Sequence, residues 1–296
     1  FLFPPEHLGE TYMRNVLFAM GAAFFAFSSS TYAGPDSAKL AEVLAAQPED
    51  VQARYVYRHP YETLDYFGVI PGDVVVEALP GGGWYTKILS AYIGPEGKVV
   101  GVDYSRDLFP LFGFFSEEQL KAKETWKEDW VAGTAEWGIE DGAPISAFVF
   151  GDMPEQMKGT ADTVLFIRAL HNLARFEGQG GFLTMALQNA FDVLKPGGIV
   201  GVVQHQARDE MPDDWAGGQN GYLKDDFVIR VMTEAGFEFA GMIDVNFNEK
   251  DQPTTEDLVW RLPPTLLGTR DNPELKAERE AIGESNRMTL KFRKPK

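Results

Sequence analysis

The first half-buried pattern along the chain is helical. Ser37 to Ala46 (SAKLAEVLAA) sets Leu40, Val43 and Leu44 on one face, and Glu49 to Phe67 does the same with Val51, Tyr55, Leu64 and Phe67. Pro60 lacks an N–H and predicts a kink or split there. From Val69 the pattern changes to short apolar runs between amphipathic stretches. Asp73–Leu79, Gly97–Asp103, Ile145–Phe150, Thr163–Arg168, Gly198–Gln204, Phe237–Val245 and Met288–Phe292 read as strands. Helices are predicted over Trp84–Ile93, Ser116–Trp137, Phe182–Leu194 and Leu223–Ala235. The strands carry Val and Ile without polar alternation, so both faces are buried, as in a parallel sheet covered by helices. The expected fold class is therefore α/β, a doubly wound, seven-stranded, mostly parallel sheet with a reversed edge strand. Residues 34–68 form an N-terminal helical extension and residues 69–296 the main domain.

No helix is expected between the last two strands. Residues 246–286 hold Pro253, Pro263, Pro264 and Pro273 with little periodicity. They read as a long insertion, a candidate lid or pocket wall. The basic end, Lys291 to Lys296 (KFRKPK), is expected as a solvated sheet edge.

Composition narrows the partners. A formal net charge of −17 repels phosphate backbones, so a nucleic-acid substrate is not expected. The chain has no cysteine, which excludes disulfides, thiolate zinc sites and a cysteine nucleophile. The histidines and acids show no metal-ligand spacing, and no metal is expected.

The N-terminal stretch reads as a targeting segment. Arg14 precedes the apolar run Val16 to Phe27, then come serines and the small residues Thr31 and Ala33 around Tyr32. This is the order of a secretory signal peptide from Met13 to Ala33, with residues 1–12 as upstream sequence. The run is shorter than the roughly 20 residues of a membrane span. The expectation is a periplasmic or secreted protein with no stable membrane insertion after cleavage.

The candidate chemistry sits at the end of the first strand. Glu77 is followed by Pro80-Gly81-Gly82-Gly83 and then a helix. Glycines there allow close approach of a ligand, and the helix N-terminus offers free N–H groups. Ligands of open α/β sheets sit at the carboxyl ends of the strands. A dinucleotide fingerprint would need a sixth-position glycine counted from Gly81, where the chain has Thr86. Asp103 ends the second strand, where a carboxylate can accept both hydroxyls of a ribose. Glu77 beside the turn would repel a pyrophosphate and suits a cationic sulfonium ligand.

Glu77-Ala78-Leu79-Pro80-Gly81-Gly82-Gly83 resembles motif I of class I S-adenosylmethionine-dependent methyltransferases, with Leu79 in place of the first glycine. The longer string PGGGWYTKILSAYIG resembles a group of exported bacterial methyltransferases. Arg168-Ala169-Leu170-His171-Asn172, Lys195-Pro196-Gly197-Gly198 and Glu234-Ala235-Gly236-Phe237 extend the resemblance over about residues 50–296. It implies S-adenosylmethionine as cofactor, with Gly81 and Gly83 against its methionine part and Glu77 near its ammonium. It also implies Asp103 on the ribose and Asp152 facing the adenine amino group.

The acceptor is expected to be a small molecule with an oxygen or nitrogen nucleophile, which calls for a base. His171 and His205 fall at the carboxyl ends of the central fourth and fifth strands and are the candidate catalytic pair, with ordinary pKa values near 6.5. Arg168 and Asn172 could orient a substrate, and Tyr222 could line the pocket. Two other readings stay open: a non-catalytic binder of the cofactor or a nucleoside on the same fold, and an NAD-dependent oxidoreductase, which Thr86 and Glu77 disfavour.

Overall fold

A computed structural model describes residues 36–296. The expected signal peptide and upstream residues lie outside the described residues. Among the described residues, no helix is long and apolar enough to cross a membrane.

Helix α1 (Ser37–Ala45) starts where the Asp36 carboxylate accepts from the Lys39 N–H at 3.0 Å, and it buries Leu40 and Leu44. The following helical stretch is split into α2 (Glu49–Gln52), α3 (Tyr55–Arg58) and α4 (Pro60–Phe67). The break falls at His59, in the left-handed region with φ 40°, just before Pro60. Strand β1 (Val74–Ala78) leads to α5 (Trp84–Ile93) and β2 (Lys98–Asp103). The continuous helix expected over Ser116–Trp137 is instead α6 (Glu117–Ala122), α7 (Trp126–Thr134) and a 3-10 turn, Ala135–Trp137. The first break comes at Lys123, whose ammonium turns to the carboxylate of Asp103.

Then come β3 (Ile145–Val149), β4 (Ala161–Ile167), α8 (Leu170–Arg175), α9 (Glu177–Gly180), α10 (Phe182–Val193) and β5 (Leu194–His205). The chain finishes with α11 (Asp225–Glu234), β6 (Glu238–Ile243), α12 (Pro273–Ile282) and β7 (Arg287–Arg293).

The sheet order is β3-β2-β1-β4-β5-β7-β6. β7 is the reversed strand, antiparallel to both β5 and β6 at that edge. The sheet is buried on both sides because alternate residues feed two cores. Val76 and Val100 join one with α8, α10 and α11, while Val75 and Val99 join the other with α1, α4 and α5. Gly201 in β5 sits under the ring of Phe67, where a Cβ would overlap the ring.

Two expectations are corrected here. A helix, α12, does lie between the last two strands. It buries none of its residues, so apolar periodicity carries no trace of it, although Asn272 caps it through the Leu275 N–H at 2.9 Å. The basic end is also no solvated edge, because β7 lies inside the sheet. Lys291 Nζ donates to the Tyr66 carbonyl at 2.6 Å, and Lys294 Nζ to the carbonyls of Phe191 at 2.6 Å and Leu194 at 2.9 Å. These ammoniums sit on the last turns of α4 and α10, where the helix dipole favours cations.

Candidate active site

The turn after β1 has an alternating backbone. Leu79, Gly81 and Gly83 are all left-handed, with φ of 55°, 54° and 77°. The chain therefore keeps a three-glycine conformation with leucine at the first place, at a cost of about 1–2 kcal/mol. The Leu79 N–H donates to the Val102 carbonyl at 2.7 Å and ties the turn to β2. Its inner side leans on tryptophans: Trp130 Nε1 donates to the Gly81 carbonyl at 3.0 Å, and a Cβ on Gly83 would overlap the Trp137 ring. Its outer side is open, since a Cβ on Gly81 or Gly82 would meet nothing within 4 Å.

Glu77 is only 3% exposed and lies beneath the turn, and Thr86 Oγ1 donates to its Oε2 at 2.6 Å. Burial pushes its pKa up to about 7, against the opposing pulls of the Thr86 bond and the Arg168 charge. Thr86, which breaks the dinucleotide pattern, is thus the residue that holds the acid.

Asp103 is buried at the end of β2. Its Oδ1 accepts from the Tyr104 N–H and its Oδ2 from Lys123 Nζ, both at 2.9 Å. Burial raises its pKa and Lys123 opposes that shift. Each oxygen keeps a further lone pair, so the carboxylate can still accept from a ribose. Asp152 stands apart in the loop after β3, with a side chain 70% exposed and Lys127 Nζ 3.9 Å away. An open glycine turn beside an acid at the adjoining strand end fits the methionine and ribose parts of S-adenosylmethionine.

A cavity of about 210 Å3 opens at the carboxyl ends of β1, β4 and β5. Leu79 and Ile167 form one wall, and Trp260 and Leu262 of the long insertion form another. Arg168, His171, His205, Glu284 and Ser285 supply its polar side. The two histidines, separate in sequence, are brought together with ring centres 5.5 Å apart. Gln204 donates its amide to the Gly221 carbonyl at 3.0 Å, which leaves Oε1 facing His171 Nδ1 at 3.4 Å. With that amide orientation, His171 carries its proton on Nδ1 and presents a free Nε2. His205 Nδ1 meets Ser285 Oγ at 2.5 Å.

Neither imidazole keeps the ordinary pKa that the sequence suggests. Burial, with the Arg168 charge nearby, brings His171 down to about 4 despite the Gln204 bond, and burial with its charged neighbours holds His205 well below its usual range. Both are neutral at pH 7.

Of the residues around the histidines, Arg168, Asn172 and Tyr222 are the ones the sequence singles out, and Glu284, Asp251 and their other partners carry no sequence signal. Glu284 pairs with Arg54, with Arg58 at 3.1 Å and with Arg287 at 3.2 Å. Arg58 also lies over the Trp84 ring, 4.5 Å from its centre. Arg168, just past β4, is left-handed with φ 57°, and its buried Nε has no partner among the described residues. Tyr222 is fully buried, and its hydroxyl donates to Asp251 at 2.9 Å. Asp251 also accepts from Arg261 Nη2 and from the Asn286 N–H, each at 2.9 Å. Tyr222 thus anchors the insertion from within. Asn172 donates to the Tyr104 hydroxyl at 3.0 Å, behind the end of β2. Among the described residues, no group of histidines and acids is placed to hold a metal ion.

A family model described as protein-L-isoaspartate (D-aspartate) O-methyltransferase matches residues 50–158, the stretch with the glycine turn, Asp103 and Asp152. The [4+2]-cyclase SpnF superposes with a TM-score of 0.51 at 16% identity, over 80% of this chain and 80% of that one. A methyltransferase dependent on S-adenosylmethionine from Aquifex aeolicus is 19% identical, covers 71% of this chain and 93% of its own, and has a TM-score of 0.45. A geranyl diphosphate methyltransferase in complex with S-adenosylmethionine is 17% identical over 88% of this chain and 96% of that one, with a TM-score of 0.48. The sheet is that of the Rossmann-like methyltransferase fold. The family match supports a methyltransferase.

Proposed function

We propose that this chain transfers the methyl group of S-adenosylmethionine to an oxygen or nitrogen of a small molecule. The observation that carries the reading is the left-handed 79-81-83 turn, which joins the Asp103 strand end to the histidine cavity through Leu79. Bound S-adenosylmethionine supplies an electrophilic methyl on a sulfonium, whose sulfur keeps the C–S electron pair on transfer. Gly81, with open space beside it, would let the chain approach it closely, Gly83 would hold the turn against Trp137, and Asp103 would accept its ribose hydroxyls. Glu77 supplies negative charge from beneath the turn, and Asp152 faces the adenine amino group. The acceptor occupies the cavity, where the walls exclude water and hold its nucleophile in line. Such positioning supplies most of the acceleration in a displacement of this kind.

His171 Nε2 accepts the proton that the nucleophile loses as its bond to the methyl carbon forms. His205, held by Ser285, is the second base. The low basicity of both imidazoles limits their contribution. That weakness is also the observation in favour of a second reading, a protein that holds the cofactor without turnover.

The Met13–Ala33 segment supports export to the periplasm or outside the cell. N-terminal sequencing of the mature protein tests it, and a start at Gly34 is the expected result. Titration calorimetry with S-adenosylmethionine and with NAD tests the cofactor. Binding of the first alone is expected, and no heat with S-adenosylmethionine at millimolar concentration would end the reading. Methylation of any acceptor from a metabolite library separates the enzyme from the binder.

A further inference from the structure

The arginine cluster beside the cavity is not neutralised from within. Arg54, Arg58 and Arg287 share one carboxylate, that of Glu284. Arg287 is further tied by Nη2 to the Tyr57 carbonyl at 2.8 Å and by Nε to that of Ser285 at 3.2 Å. Arg168 has none of these ties. It lines the cavity, and its buried Nε is unpartnered among the described residues. A buried polar group without a partner is costly, and a buried charge more so. The left-handed backbone at Arg168, like that at Leu79 across the cavity lining, adds a strain that the fold maintains beside the histidines.

We propose that the cavity binds a carboxylate-bearing acceptor, with its carboxylate on the guanidinium of Arg168 and its apolar body against Trp260 and Leu262. The word acceptor rests on the methyltransferase reading; the anion site does not. A planar guanidinium matches a carboxylate through two parallel N–H···O bonds. One free guanidinium in a cavity of about 210 Å3 fits a monoanion with a small apolar body. Pairing with the guanidinium lowers the nucleophilicity of that carboxylate, so the methylated atom is another, protic group of the same molecule facing His171 Nε2.

Titration calorimetry on the full chain, with the demethylated cofactor present, compares acids with their neutral amides. The pairs are benzoate and benzamide, phenylacetate and phenylacetamide, and 4-hydroxybenzoate and 4-hydroxybenzamide. In at least one pair the acid should bind about tenfold more tightly than the amide, or better. Arg168→Met should bring that ratio to about one, and Arg168→Lys should keep part of it. Without ligand, Arg168→Met should melt no lower than the wild-type protein, because it removes a half-buried charge whose buried Nε has no partner among the described residues. If it fails to fold, the wild-type ratio and the lysine variant decide. Equal affinity for acid and amide in every pair overturns the proposal. So does an Arg168→Met variant that loses affinity for S-adenosylmethionine while keeping its preference for acids, since the guanidinium would then serve the cofactor. An acid preference in a protein that does not bind S-adenosylmethionine would leave the anion site standing and remove the methyltransferase reading.

Discussion

Glu77 shows how much a single residue's surroundings change its meaning. Its type and place are visible in the sequence, at the end of β1 before the glycines. Its protonation is not, because that depends on burial and on Thr86, in the first turn of α5. With its pKa raised from 4.5 to about 7, the folded state holds a proton that the unfolded state releases. Stability is therefore lost as pH rises from about 4.5 to about 7 and is level above that. Glu77→Gln keeps an acceptor for the Thr86 hydroxyl and removes the penalty. Urea denaturation should find the variant more stable by on the order of 1–3 kcal/mol at pH 8 and no different at pH 4. The same variant should bind S-adenosylmethionine about tenfold more weakly, because a cationic ligand favours the ionised acid that the substitution removes. Indistinguishable stability at both pH values would show that Glu77 is not held as described.

The histidines carry the opposite sign. A folded pKa lowered from 6.5 to about 4 means that stability is lost as pH falls through that window. As a base, His171 stays unprotonated down to about pH 4, so the turnover rate at saturating cofactor should be flat from pH 8 to about 5.5. An acid limb near 6.5 would contradict a buried His171. His171→Gln should cost about 100-fold in that rate, at the low end for a general base because the imidazole is weak.

At the scale of elements, the turn and the helices divide what the sequence shows. The glycine turn is legible because its residue types are limited by backbone conformation. Leu79 is the exception: it takes the glycine conformation without being glycine, and only the observed φ reveals it. The turn makes a sharp contrast between neighbours. Gly83→Ala places a Cβ against Trp137 in a left-handed backbone and should destabilise by about 2 kcal/mol or more. Gly82 is not left-handed and faces open space, so Gly82→Ala should change stability by less than about 0.5 kcal/mol. If the cofactor lies on the outer side of the turn, Gly82→Ala should still weaken S-adenosylmethionine binding in calorimetry. Unchanged affinity would move the cofactor off that surface. α12 has no apolar face, and its only trace is Asn272-Pro273-Glu274, an N-cap signature inside a stretch that otherwise reads as loop. α6 also buries nothing, but it lies within the stretch expected to be helical, and Ser116 and Gln119 form its capping box.

At the scale of the whole molecule, the site is assembled from ends of chain that no local pattern connects. Buried Val and Ile runs mark a mostly parallel sheet, whose ligands sit at the carboxyl ends of the strands, so the positions of Asp103, His171 and His205 at one rim are legible. The roof is not. It depends on Asp251, which gathers the Tyr222 hydroxyl, the Arg261 guanidinium and the Asn286 N–H into one buried knot. That knot ties the segment after β5, the insertion and the entry to β7, and β7 in turn pairs with β5 beside the histidines. The insertion is thus a fixed wall of the cavity, held by a charge pair that burial makes hard to break. Asp251→Ala leaves Arg261 with Asp257 as its ion-pair partner and leaves the Tyr222 hydroxyl and the Asn286 N–H without their acceptor, and should cost on the order of 3 kcal/mol in urea denaturation. Hydrogen exchange should quicken over residues 251–265 and 284–286, while β1 and β2 stay protected. Because Leu79 and Asp103 do not depend on the knot, S-adenosylmethionine should still bind the variant, with acceptor methylation lost. Loss of both together would mean that the roof supports the glycine turn as well, and that cofactor and acceptor share one cooperative unit.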